Sequence, residues 1–217
     1  LWAFSLNARD TYEEMYWKYG YDRYFDSFEH YYSLYQRRNL DLWAEYADGK
    51  VTKEELNRQR YLYPLEAVGA GDSTLAKAYE RDALTMIPTK SKLMPHAREV
   101  LEYLSGKYNL YILSNGFKEL QSHKMRSSGI DEYFKKVVLS DDIGILKPWP
   151  EIFHFALSTT QSELNNSLMI GDSWENDIVG AAGVGMHQGF YNLSGRTDLP
   201  FAPTYQITDL KDLFNFL

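Results

Sequence analysis

The sequence contains no cysteine. That excludes a disulfide framework and a thiolate metal site, and a reducing, cytoplasmic setting is the expectation. No stretch approaches the roughly 20 consecutive apolar residues of a membrane-spanning helix. The opening Leu1-Trp2-Ala3-Phe4 lacks the basic n-region of a secretory signal. Positive charge is in deficit: 23 Lys and Arg stand against 30 Asp and Glu, for a formal net charge of -7. The basic residues are scattered, so neither a nucleic-acid polymer nor a membrane is an expected partner. No G-x-x-x-x-G-K-[ST] loop and no G-x-S-x-G elbow occurs. Gly180, Gly183 and Gly185 follow a helical stretch and not a strand, so they read as a helix end and close helix–sheet contact, not as a dinucleotide fingerprint. There is no internal repeat.

What the chain has is length and apolar content. Its 217 residues fit one large domain or two small ones, and 44% hydrophobic residues suffice for a core. Residues 5–87 read as successive helices. The stretch 11–46 holds thirteen aromatics. Tyr21, Tyr24, Phe25, Phe28, Tyr31, Tyr32 and Tyr35 recur at helical spacing, which makes one apolar face. Helix packing explains that stripe better than a platform for stacked bases. Thr52-Lys53-Glu54-Glu55 forms a capping box that starts a helix. Pro64 is expected to kink or end one. Asp72 or Ser73 caps the next, which runs to about Met86.

From Ile87 the texture changes. Pro88 and Pro95 mark a junction, and short apolar runs then alternate with helical patterns. The expected strands are 109–114, 135–140, 167–172, 187–192 and 205–208. The expected helices lie near 96–106, 117–127, 150–160 and 175–183, with a last one at the end. Alternation of this kind builds a parallel sheet covered by helices, a Rossmann-like α/β core. Such sheets bind ligands beyond the carboxyl ends of their strands.

Three of those strand ends carry chemistry. The first ends in Ser114-Asn115-Gly116. The second leads into a loop with Lys147-Pro148. The third ends in Gly171-Asp172, with Glu175 and Asp177 close behind. A hydroxyl, a lysine and a carboxylate at one sheet edge suit an anion and a divalent cation together. Ser114 and the amides of Asn115 and Gly116 can hold phosphate oxygens at a helix N-terminus. Lys147 adds a point charge. Asp172 is an oxygen ligand of the kind Mg²⁺ prefers. Each residue alone has an ordinary reading. Ser114-Asn115-Gly116 is a turn and cap, Lys147 a solvated lysine, and Asp172 a cap for the following helix. Glu175 and Asp177 fit the first turn of that helix, where acids suit the dipole, and for Glu175 this structural reading is preferred. The order and placement of the set favour a site. His30, His96, His123, His154 and His187 show no metal-ligand spacing and read as structural or surface residues.

With these residues in place the chain resembles the haloacid dehalogenase-like (HAD) hydrolase superfamily. Motif two matches "LYILSNG" with Ser114, motif three "GILKPWPEIF" with Lys147, and motif four "MIGDSWENDIVGA" with Asp172 and Asp177. The stretch "SNGFKELQSHKMRSSGIDEYF" resembles the noncanonical pyrimidine nucleotidases, which are 5′-nucleotidases. The resemblance implies an α/β, HAD-like fold. Residues 5–87 would be an inserted helical-bundle cap, and 1–4 plus 88–217 the core. It further implies a Mg²⁺-dependent phosphomonoester hydrolase acting through an aspartyl-phosphate on nucleoside 5′-monophosphates. Asp172 would bind the metal, and Asp177 would orient metal-bound water. Ser114, Asn115, Gly116 and Lys147 would hold the phosphoryl group. The partner would be a small-molecule phosphate ester, and the protein a monomer or homodimer.

The family's motif one, D-x-D-x-T, supplies the nucleophilic and acid/base aspartates, and it does not occur in residues 1–217. Leu1 resembles the residue that follows that motif, so a strand carrying it is expected before Leu1. Alternatives remain open at this point. One is a phosphatase for phosphoglycolate or a sugar phosphate. Another is a metal-free 2-haloacid dehalogenase, against which the retained Asp172 speaks. The last is an inactive binding protein, should the chain truly start at Leu1.

Overall fold

The structure is a computed structural model and describes residues 1–217. The chain divides into two compact units, Trp2–Lys92 and Leu1 with Leu93–Leu217.

The first unit is helical: α1 (Phe4–Lys18), α2 (Phe28–Ala47), α3 (Lys53–Ala67) and α4 (Ser73–Met86). Three of the helices begin on a side-chain cap. Ser27 Oγ accepts from His30 N at 3.1 Å, Thr52 Oγ1 accepts from Glu55 N at 3.1 Å, and Asp72 Oδ1 accepts from Thr74 N and Leu75 N. The Thr52 hydroxyl half of the expected capping box is present. The Glu55 carboxylate turns instead to Arg58 and Gln59, whose donors compete for it within the same helix. Pro64 does not end its helix, which continues to Ala67. The ring is buried, and packing outweighs the one backbone bond it removes.

The aromatic stripe is core. Tyr12, Tyr16, Tyr21, Tyr31, Tyr61 and Tyr79 are all less than 2% exposed. Buried hydroxyls favour partners, and four of these six, on Tyr12, Tyr16, Tyr61 and Tyr79, have them. Tyr12 Oη lies 2.6 Å from Tyr35 Oη and 3.3 Å from Tyr61 Oη. Tyr16 Oη donates to the Phe25 carbonyl, and Tyr79 Oη to the Tyr12 carbonyl. Burial pushes the Tyr12 and Tyr35 phenols well above the usual tyrosine range, so both stay neutral. Buried Arg60 donates to Asn57 Oδ1 at 2.5 Å and lies 5.0 Å from the centre of the Tyr61 ring.

The second unit is α/β. Its strands are β1 (Tyr111–Ser114), β2 (Lys136–Leu139), β3 (Leu168–Gly171), β4 (His187–Tyr191) and β5 (Tyr205–Ile207). The helices are α5 (Ala97–Ser105), α6 (Lys118–Ser128), α7 (Pro150–Thr160) and α8 (Gly180–Gly183). All pairings are parallel, as expected. The strands, however, form two sets rather than one sheet: β1 with β2, and β3-β4-β5 in that order. No backbone ladder joins β1 to β3. Their side chains nevertheless share cores: Leu113 and Met169 pack around Ile152 and Phe153 of α7, while Leu110 and Ile170 pack against Val100 and Leu104 of α5. The last helix is a 3-10 segment, Leu210–Asn215, with Asp209 accepting from Lys211 N at its start. His96 pairs with Asp209 at 2.8 Å, in line with a structural role.

Candidate active site

Ser114 ends a strand, Asp172 follows one directly, and Lys147 and Asp177 lie in the segments that follow β2 and β3. β1 ends at Ser114, and Asn115-Gly116 turns the chain into α6. The Ser114 hydroxyl accepts from Gly116 N at 2.9 Å and from Gln121 Nε2, on the first turn of α6, at 2.6 Å. The Gly116 amide, expected to face an anion, is thus turned to the serine here. Gly116 has no side chain for a spatial reason. A Cβ there would lie 2.9 Å from the Gln121 amide and 3.1 Å from Ser114 Oγ.

Asn115 does something its sequence position did not reveal. Its side-chain Nδ2 donates to the Lys147 carbonyl at 3.0 Å, and its Oδ1 accepts from Lys147 N at 2.7 Å. Both ends of the amide are spent on one backbone residue, 32 positions away. The side chain clamps the lysine loop to the end of β1.

Lys147 is buried, not solvated. It precedes a cis peptide to Pro148. Its Nζ donates to the Leu113 carbonyl at 2.9 Å and pairs with Asp177 Oδ1 at 2.5 Å. A charge this dry must be paired, and Asp177 supplies the counter-charge. Asp177 Oδ2 in turn accepts from Ser173 N at 3.1 Å. Hence Asp177 secures the lysine and closes the loop after β3.

The helix expected near 175–183 begins as a π-turn, Trp174–Val179, and becomes α-helical only at Gly180. Ser173 starts it: its Oγ accepts from Asn176 N, and its carbonyl from both Asp177 N and Ile178 N. π-turns are frequent at functional sites. This one aims Asp177 inward. Gly171 accommodates it, because a Cβ on Gly171 would collide with the Asp177 carboxylate. Gly180 likewise admits the Phe153 ring and the backbone of Pro148. Glu175 points away and pairs with Arg196 at 2.7 Å, which holds its carboxyl below the usual range. That agrees with the structural role preferred for it.

Asp172 differs from Asp177. It is exposed at the carboxyl end of β3. A hard oxygen donor on an open strand end fits Mg²⁺, which keeps several waters and takes one or two carboxylates. No group of three or more His, Asp or Glu forms a closed metal cage among the described residues. In the helical unit, Arg37, Arg38, Asp41, Gln59 and Tyr63 line a cleft of about 390 Å³. None of the strand-end residues belongs to it.

Ser114, Lys147, Asp172 and Asp177 lie at or beyond the carboxyl ends of parallel strands, and comparison identifies the family. The chain belongs to the haloacid dehalogenase-like hydrolases, whose family model matches residues 4–185. Among similar sequences is the pyrimidine 5′-nucleotidase YjjG of Escherichia coli, 30% identical over 185 residues, or 84% of this chain and 80% of that one. Another is the HAD-hydrolase YfnB of Bacillus subtilis, 29% identical over 187 residues, or 84% and 78% of the two chains. The crystal structure of magnesium-bound YfnB superposes with a TM-score of 0.87 at 25% identity, covering 100% of this chain and 93% of that one. The protein is therefore an enzyme of the hydrolase class. No helix is long and apolar enough to cross a membrane.

Proposed function

We propose that the protein is a Mg²⁺-dependent phosphatase for small phosphomonoesters, with nucleoside 5′-monophosphates as its substrate class. The observation that carries the reading is the set of strand-end groups: a hydroxyl on β1, a buried lysine tied to β1, and an open carboxylate on β3. Nucleotidases among the similar sequences support the substrate class. The solved magnesium-bound relative supports the metal.

In this reading Ser114 and Lys147 bind the phosphoryl oxygens, where negative charge builds up as the ester bond breaks. Lys147 is held for that task by Asp177 and by the Leu113 carbonyl, so its ammonium needs no reorganisation. Asn115 keeps the lysine loop against β1. Asp172 would hold Mg²⁺, whose charge offsets that of the phosphate. The aspartyl-phosphate route belongs to the same proposal, and the attacking carboxylate of the family's first motif is not among residues 1–217. The helical unit would act as the cap that selects the leaving group. A cytoplasmic setting suits the cysteine-free sequence.

The test is phosphate release by the full-length protein from pyrimidine and purine nucleoside 5′-monophosphates, phosphoglycolate and sugar phosphates, with Mg²⁺ and with EDTA. The expected result is release that EDTA abolishes and that is fastest with nucleotides. A preference for phosphoglycolate or a sugar phosphate would overturn the substrate class. EDTA-resistant halide release from a 2-haloacid would overturn the phosphatase.

A further inference from the structure

The Ser114 hydroxyl has an unusual hydrogen-bond balance. A serine oxygen accepts at two lone pairs and donates one proton. Here both lone pairs are filled, by Gly116 N at 2.9 Å and by Gln121 Nε2 at 2.6 Å. The proton is what remains, and it must point away from both donors. We infer that Gln121 is a positioning residue: it fixes the Ser114 hydroxyl as a proton donor toward a bound phosphoryl oxygen.

The scaffold around Gln121 supports that role. The residue sits on the first turn of α6, its amide donating to the Phe117 carbonyl. That helix is pinned at both ends. Lys118 N donates to Asp141 Oδ2 at 3.0 Å, Phe117 is buried, and Arg98 donates to the carbonyls of Ser128 and Gly129 at the far end. The Gln121 side chain is therefore delivered from a fixed base. Gly116 leaves it no slack, since even a methyl group there would meet its amide. A hydroxyl free to rotate would spend part of its time accepting rather than donating. One locked by two donors is ready before the anion arrives, and such preorganisation is what makes a donor effective where charge develops.

This inference rests on the phosphatase reading, and a double-mutant cycle separates the two. The variants are Gln121→Met, Ser114→Ala and the pair, made in the full-length protein. Methionine keeps the length of glutamine and loses the donor. Two readouts are taken: kcat/KM for phosphate release, and the Kd of inorganic phosphate by calorimetry in the presence of Mg²⁺. Gln121→Met should weaken both by about tenfold, the scale of one charge-assisted hydrogen bond. In the Ser114→Ala background it should change neither, because the group it orients is gone. Gln121→Asn, with a shorter reach, should not rescue, whereas Gln121→His, which can present a ring N–H, should restore part of the loss. Additive effects, or a Gln121→Met protein that matches wild type in both readouts, would overturn the positioning role. If wild type releases no phosphate from any ester yet binds phosphate in a Gln121-dependent way, the hydrolase reading fails and this one stands. A wild-type protein that neither releases nor binds phosphate refutes both.

Discussion

Lys147 Nζ and Asp177 Oδ1 lie 2.5 Å apart, with less than a tenth of either side chain exposed. Removing one member of such a pair strands the other charge in a dry interior, at a cost of about 3–5 kcal/mol. Asp177→Ala and Lys147→Ala should therefore both lower the urea midpoint strongly. The double replacement Lys147→Met with Asp177→Leu should recover much of the stability and none of the phosphate release. Stability and activity measured on the same preparations check this, and an active double variant would remove the lysine from the chemistry.

Asp172 should behave in the opposite way. It is exposed, so Asp172→Asn should change stability by no more than about 0.5 kcal/mol. It should abolish Mg²⁺-dependent turnover and weaken Mg²⁺ binding measured by calorimetry. Undiminished metal binding in the folded variant would place the metal elsewhere.

Gly171→Ala tests the space under the Asp177 carboxylate. The added methyl cannot coexist with that carboxylate where it lies. The expected loss is about 1–3 kcal/mol, the usual scale of overpacking. Activity should fall as well, because Asp177 must shift and Lys147 with it. A neutral result by thermal unfolding would mean that the carboxylate has another place to go.

Asp82 in α4 carries a pH signature. Lys18 Nζ, Tyr19 Oη and the adjacent Arg81 hold its carboxyl down to about 2, from an ordinary 3.8. A depressed carboxyl contributes stability that is fully present above its unfolded value of 3.8 and is lost as pH falls through its folded value of about 2. The difference in urea midpoint between wild type and Asp82→Asn should therefore be constant above about pH 5 and shrink toward pH 2. A difference that did not change over that window would contradict the assignment.

Much of this was legible in the residues. β3 was expected at 167–172 and lies at 168–171, and α7 was expected near 150–160 and occupies that range, because period and punctuation are local signals. Ser114, Lys147 and Asp172 stood out because strand ends are countable in a sequence. The Asn115 clamp and the Gln121 contact did not, because both depend on where a side chain points across a gap in sequence. Gln121 sits in the polar run "KELQSH", where nothing marks it apart from its neighbours. The burial of Lys147 was not legible, because a lysine is ordinarily exposed and its counter-charge lies thirty residues on.

The π-turn at Trp174–Val179 has one more consequence. A π-turn amounts to an α-helix with a surplus residue, and each residue of an α-helix advances it by about 100°. The direction of the Asp177 carboxylate is therefore set by how many residues lie between Ser173 and Gly180 as much as by which they are. Shortening the segment by one would swing the acid round the helix axis while leaving every surviving side chain chemically intact. The lysine's counter-charge is thus held by arithmetic in the backbone, a kind of information that no scan of substitutions can read and a single deletion would erase.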